Sequence, residues 1–91
     1  MSDYISIIDD DAAIRESVKG LVTGAGYRAR CFSSAERFLD HPEATRDRCA
    51  VVDIRLPGMD GLALQQAISG RGLRVRTLFT TGYASVPLAV E

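Results

Sequence analysis

The apolar positions of this chain fall into two rhythms, short continuous runs and spaced helical stripes, and they alternate. Tyr4 to Ile8 is a short run rich in β-branched residues that ends in Asp9-Asp10-Asp11, and Cys49 to Val52 is a second that ends in Asp53. Runs apolar along their length predict central strands buried on both faces. Between them Ile14, Val18, Leu21 and Val22 recur at helical spacing, and Gly24 and Gly26 close that helix. Arg28 to Phe32 alternates polar with apolar, as a half-exposed edge strand does. Ser33 opens an S-x-x-E capping box with Glu36, which predicts a short helix through Phe38 and Leu39, ended by His41-Pro42. Leu56 to Gly61 is turn chemistry. It leads into helical spacing at Leu64 and Ile68, with a stop at Gly70 or Gly72. Val75 to Thr81 reads as a fourth strand, 82–85 as a loop, and 86–91 as the first turn or two of a further helix.

Strands alternating with helices predict βαβ units around a parallel sheet. With the first and third strands adjacent and the second outside the first, the strand order begins 2-1-3. Ligands of open α/β sheets bind at the carboxyl ends of the strands where that order reverses. Asp9, Asp10 and Asp53 all fall there.

Composition narrows the function classes. Ninety-one residues make one domain, 46% of them apolar, with a net charge of -1 that argues against binding nucleic acid or an anionic membrane by overall charge alone. No apolar stretch approaches the ~20 residues that span a bilayer. The first residues lack the basic start and apolar core of a signal peptide. Cys31 and Cys49 stand apart in strand-like runs and are expected to be buried free thiols, which suits a reducing cytoplasmic compartment. Gly24-Ala25-Gly26 and Gly70-Arg71-Gly72 follow helices rather than strands, so they read as helix stops and not as phosphate-cradling loops. His41, the sole histidine, sits in a polar turn and reads as a surface residue.

Three carboxylates converging on one sheet end repel one another unless a cation lies among them. Magnesium suits, since it takes oxygen ligands from one or two carboxylates plus waters and phosphate oxygens. Asp11 reads as the cap of the following helix. Asp53 ends an apolar central strand, where an unpartnered charge is costly. Beside a cation, such a carboxylate can act as a nucleophile and form an aspartyl-phosphate. Thr80-Thr81-Gly82 can bring a hydroxyl to the phosphoryl oxygens from the end of the fourth strand.

Ile7-Ile8-Asp9-Asp10-Asp11, Val51 through Gly61 and Thr80-Thr81-Gly82-Tyr83 resemble the receiver domains of two-component response regulators. The run from Thr81 to Val90 is similar to the FixJ-like branch. The resemblance implies a flavodoxin-like (CheY-like) doubly wound α/β sheet of order 2-1-3-4(-5). It implies that Asp53 is the phosphoacceptor and that Asp9 and Asp10 form the acidic pair. Asp10 and Asp53 would ligate Mg2+ by carboxylate, and the Arg55 backbone carbonyl would add a third protein oxygen. Thr81 would be the switch hydroxyl, and Arg55 and Tyr83 would tune the lifetime of the phosphoryl group. The partner implied is a sensor histidine kinase. The output implied is control of a transcription factor, reaching DNA only through an effector domain not in this chain.

The sequence also departs from the family. A complete receiver carries a fifth strand with a lysine that contacts the phosphoryl oxygens, and a fifth helix. Here Lys19 is the only lysine, and it falls within the first helix. Residues 1–91 are therefore expected to be a partial receiver ending at the start of its fourth helix. Two alternatives stay open: a fragment of a longer regulator, or a short, phosphorylation-deficient receiver serving as a dimerisation module. Either way the fourth strand is expected to present an open edge near Val75, Leu78 and Phe79, which a homodimer or strand exchange would cover. An aspartate-nucleophile phosphatase would need D-x-D on the first strand; Asp53-Ile54-Arg55 on the third offers no second acid, so an enzyme is not expected.

Overall fold

The computed structural model describes residues 3–80 and the backbone of 87–90. Four parallel strands, β1 (Tyr4–Ile8), β2 (Arg28–Phe32), β3 (Cys49–Asp53) and β4 (Arg76–Thr80), lie in the order β2-β1-β3-β4. The two apolar runs are the central strands and the alternating run is the edge, as their patterns require. Helices α1 (Ala12–Gly24), α2 (Ala35–Leu39) and α3 (Gly61–Gly70) connect them, with a 3-10 turn at Ala44–Arg46.

The core fills the space between one sheet face and the helices α2 and α3. Ile8, Ala50, Val52 and Phe79 meet Phe38, Leu39, Leu64 and Ile68 there, all buried. On the other face α1 packs against β1 and β2, with Ile14, Val18 and Val22 half-buried. Leu21, expected on the same apolar stripe, is instead 74% exposed. Helix α1 begins where Asp11 accepts hydrogen bonds from the N–H groups of Ala13 and Ile14, as predicted.

Three local expectations need correction. Ser34, not Ser33, caps α2, accepting from Arg37 N at 3.2 Å; Glu36 is thereby freed from any capping box and accepts from the N–H of Met59 in the β3–α3 loop. Cys31 is exposed, because it lies on an edge strand, and Cys49 is only half-buried; both are free thiols. Residues 87–90, expected to be helical, form β5 (Pro87–Val90), antiparallel to β4, with Leu78 opposite Val90 and Thr80 opposite Pro87. An apolar V-P-L-A-V segment is compatible with either state, and the unpaired edge of β4 supplies the backbone partners that select the strand. Proline at the first residue of an outer strand costs no ladder bond. The open β4 edge expected from the sequence is thus paired from within the chain, and the sheet has five strands, the last antiparallel.

Candidate functional site

Asp9 and Asp10 follow β1, and Asp53 closes β3. Because these strands are adjacent and parallel, with Ile8 opposite Val52, their carboxyl ends open side by side at the order reversal. One carboxylate oxygen from each of Asp9, Asp10 and Asp53 lies within 4.8 Å of the others. Asp9 and Asp53 are buried at 3% and 6% exposure, while Asp10 faces solvent.

The backbone holds two of these groups. Asp9 Oδ1 accepts from Asp11 N at 2.9 Å, and Asp53 Oδ1 accepts from Arg55 N at 3.0 Å. Burial pushes the Asp9 carboxyl above its ordinary range; the Asp11 N–H opposes this, and the charges of Asp53, Asp10 and Asp11 add to it. An all-oxygen set of three crowded carboxylates, one of them resisting ionisation, has the donor chemistry that a small hard cation satisfies. The site residues therefore fit magnesium.

The loop after Asp53 is shaped by close backbone approach. Gly58 has φ +72, a left-handed conformation that glycine adopts without strain. Gly61, at the start of α3, is buried against the end of β3. A Cβ there would stand 2.9 Å from Ile54 Cα and 3.2 Å from Asp53 O, neither of which can move without shifting the strand. Gly61→Ala is therefore expected to cost about 1–3 kcal/mol, read as a lower urea midpoint at unchanged slope.

Thr80 is buried and lies opposite Asp53 in the β3–β4 register. Thr81 and Tyr83 lie outside the described residues. Arg55 is exposed immediately beyond β3. One participant escaped sequence reading. Arg15 Nη1 donates to the Asp9 carbonyl at 2.7 Å, tying the second turn of α1 to the β1–α1 loop and setting a cation behind the acidic cluster. Its position four residues after the Asp11 cap was the available signal. His41 is more than a surface residue: its Nδ1 accepts from Ala44 N at 3.0 Å and its ring packs edge-on to Phe32.

The sequence profile of the response regulator receiver domain matches residues 5–91. The transcriptional regulatory protein FixJ of Bradyrhizobium diazoefficiens is 40% identical over 88 residues, covering 97% of this chain and 43% of that protein. Among solved structures, the response regulator StyR superposes with TM-score 0.80 at 30% identity, over 94% of this chain and 43% of that one. The response regulator protein TrrA of Thermotoga maritima, solved in complex with Mg(2+)-BeF, superposes with TM-score 0.79 at 25% identity, over 92% of this chain and 72% of that one. The chain spans about two fifths of the length of the curated relatives it matches. A parallel sheet of order 2-1-3-4 with an acidic cluster at its reversal, matched along nearly the whole sequence, identifies the chain as a member of the response regulator receiver domain family.

Proposed function

We propose that residues 1–91 form a partial receiver that accepts a phosphoryl group on Asp53 from a phosphohistidine of a sensor histidine kinase, in the cytoplasm. The observation that carries this reading is the convergence of Asp9, Asp10 and Asp53 at the carboxyl ends of β1 and β3. One Asp53 carboxylate oxygen forms the new bond to phosphorus while the bond from phosphorus to the histidine nitrogen breaks, its electron pair leaving on nitrogen. The Arg55 N–H holds Asp53 Oδ1 and so orients the carboxylate. Asp9, Asp10, Asp53 and the Arg55 carbonyl would hold Mg2+, which when bound neutralises charge on the transferring group. Thr81 would supply the switch hydroxyl. FixJ is a transcriptional regulatory protein; by the same reading this receiver controls transcription, with DNA engaged sequence-specifically by an effector domain outside these residues.

The test is incubation of the chain with acetyl phosphate. A magnesium-dependent gain of one phosphoryl mass, discharged by hydroxylamine as an acyl phosphate is, supports the reading; an unchanged mass, or a gain that resists hydroxylamine, contradicts it.

A metal-binding prediction follows from the same carboxylates. At ten times its Kd, magnesium should stabilise the fold by about 1.4 kcal/mol, a rise of several degrees in the thermal midpoint of a chain this size. Asp10, exposed and not bound to the loop backbone, is free to reach the ion, so Asp10→Ala should lose most of that rise. Asp9→Asn should lose less, and should raise the metal-free midpoint because it removes one buried like charge. Thermal melts of the three proteins with magnesium chloride and with a chelator check the ranking.

A further inference from the structure

The arginines are distributed unevenly between the two ends of the sheet. Arg28 opens β2, Arg48 immediately precedes β3, Arg76 opens β4, and Arg71 and Arg74 lie in the α3–β4 connection. All are exposed, and all fall at the amino ends of the strands. At the carboxyl ends stand Asp9, Asp10, Asp11, Asp53 and Asp60, five carboxylates against Arg15 and Arg55. The net charge of -1 thus hides an acidic pole and a basic pole.

Little at the basic pole answers these charges. Among the described residues, Asp47 is buried and engaged by Arg30 at 2.9 Å, and Asp3 reaches only Arg28, at 4.0 Å. No described ion pair engages Arg48, Arg71, Arg74 or Arg76. Arg48 and Arg76 are held close together, since Arg76 N donates to Arg48 O at 3.0 Å, and both line a cavity of about 380 Å³ walled by Tyr27. Adjacent parallel strands, ~4.8 Å apart, bring Arg48 and Arg76 to one end of the sheet, and the α3–β4 connection brings Arg71 and Arg74 to the same end. Asp3 lines the same cavity and Asp47 is buried nearby, yet the arginines outnumber these two carboxylates at this end, and the excess positive charge attracts a polyanion.

We infer that this arginine-lined edge rests on the phosphate backbone of duplex DNA, without reading sequence, while the acidic pole and Asp53 face away. Every one of these cations is arginine, whose planar fork pairs with phosphate in two hydrogen bonds and is less strongly hydrated than lysine. Several arginines at one end of the sheet can meet successive phosphates of one backbone. The acidic pole repels the same polyanion and so fixes the orientation, leaving the phosphoacceptor end open to a kinase on a DNA-bound regulator. The choice of DNA over other polyanions rests on the transcriptional reading above.

The experiment is fluorescence anisotropy of a labelled random-sequence duplex titrated with the 91-residue chain at several salt concentrations. Four phosphate contacts, from Arg48, Arg71, Arg74 and Arg76, predict weak binding whose logarithm falls with log salt at a slope of about -3 to -4. Arg48→Gln/Arg74→Gln/Arg76→Gln should weaken binding at least tenfold at low salt and bring the slope to about -1, each lost contact removing about one unit. The corresponding triple lysine variant should keep the slope, which separates charge loss from unfolding. Asp53→Asn should bind as the parent does, so a failure here leaves the phosphoryl-transfer reading untouched, and the reverse also holds. No binding by the parent, an unchanged slope in the glutamine variant, or equal binding to polyglutamate or to phosphatidylglycerol vesicles would overturn the inference.

Discussion

Asp53→Asn is expected to leave the chain folded and reduce its uptake of a phosphoryl group from acetyl phosphate to background. The carboxylate sits at the end of a central strand at 6% exposure, and its Oδ1 is committed to the Arg55 N–H. An asparagine amide oxygen can keep that hydrogen bond, so the loop geometry survives. What is lost is the negative oxygen that would form the bond to phosphorus, and nothing else described at the carboxyl ends can replace it. Asp9 Oδ1 accepts a hydrogen bond from the Asp11 N–H and the carboxyl resists ionisation, while Asp10 lies in solvent. Removing one of three crowded charges also lowers their repulsion, so the metal-free variant should be no less stable than the parent. Intact mass after incubation, with a thermal melt of the same sample, reads both outcomes; labelling of the variant at the parental level would move the acceptor elsewhere.

The largest stability effect is expected far from that site, at Arg30. Its Nε donates to Asp47 Oδ2 at 2.9 Å, its guanidinium stacks over the Tyr4 ring at 3.8 Å, and Ser6 Oγ donates to the same carboxylate oxygen at 3.4 Å. The Asp47 side chain is fully buried. Truncating Arg30 to alanine leaves a buried carboxylate without its cation, a loss worth about 3–5 kcal/mol. A domain this small has a margin that can be as low as ~5 kcal/mol, so Arg30→Ala should be largely unfolded well below the parental midpoint. Replacing both partners, Arg30→Met with Asp47→Leu, removes the stranded charge and should recover most of the loss. Urea titration of the three proteins measures it, and a loss below about 1 kcal/mol in Arg30→Ala would show that solvent or the remaining polar neighbours already satisfy Asp47.

That ion pair marks where local sequence pattern stops being informative. Arg30 and Asp47 are 17 residues apart, and nothing in either neighbourhood announces the other. The central strands were legible because two short apolar runs, rich in β-branched residues and each ended by a carboxylate, alternate with helical stripes, and the edge strand because Arg28 to Phe32 alternates. The acidic cluster was legible for a related reason: Asp9 and Asp53 each end an apolar run, and parallel strands bring such ends together. The segment 87–90 was not legible, because a short apolar stretch takes its conformation from its neighbours, and here β4 offered an edge. Two adjacent serines made the cap of α2 uncertain by one residue, and the partner of Glu36 lies 23 positions away in the β3–α3 loop. Cys31 was misplaced because β2 is covered incompletely, so an apolar residue there need not be buried.

The most direct measurement of the central claim is site mapping of the phosphorylated chain. Borohydride reduces an aspartyl-phosphate to homoserine, and peptide sequencing by mass spectrometry then locates the converted residue. Incubated with acetyl phosphate and magnesium, then reduced and digested, the chain should yield homoserine at position 53 and at no other aspartate. Homoserine at position 9 or 10, or none at all in a sample that has gained a phosphoryl mass, would contradict the account.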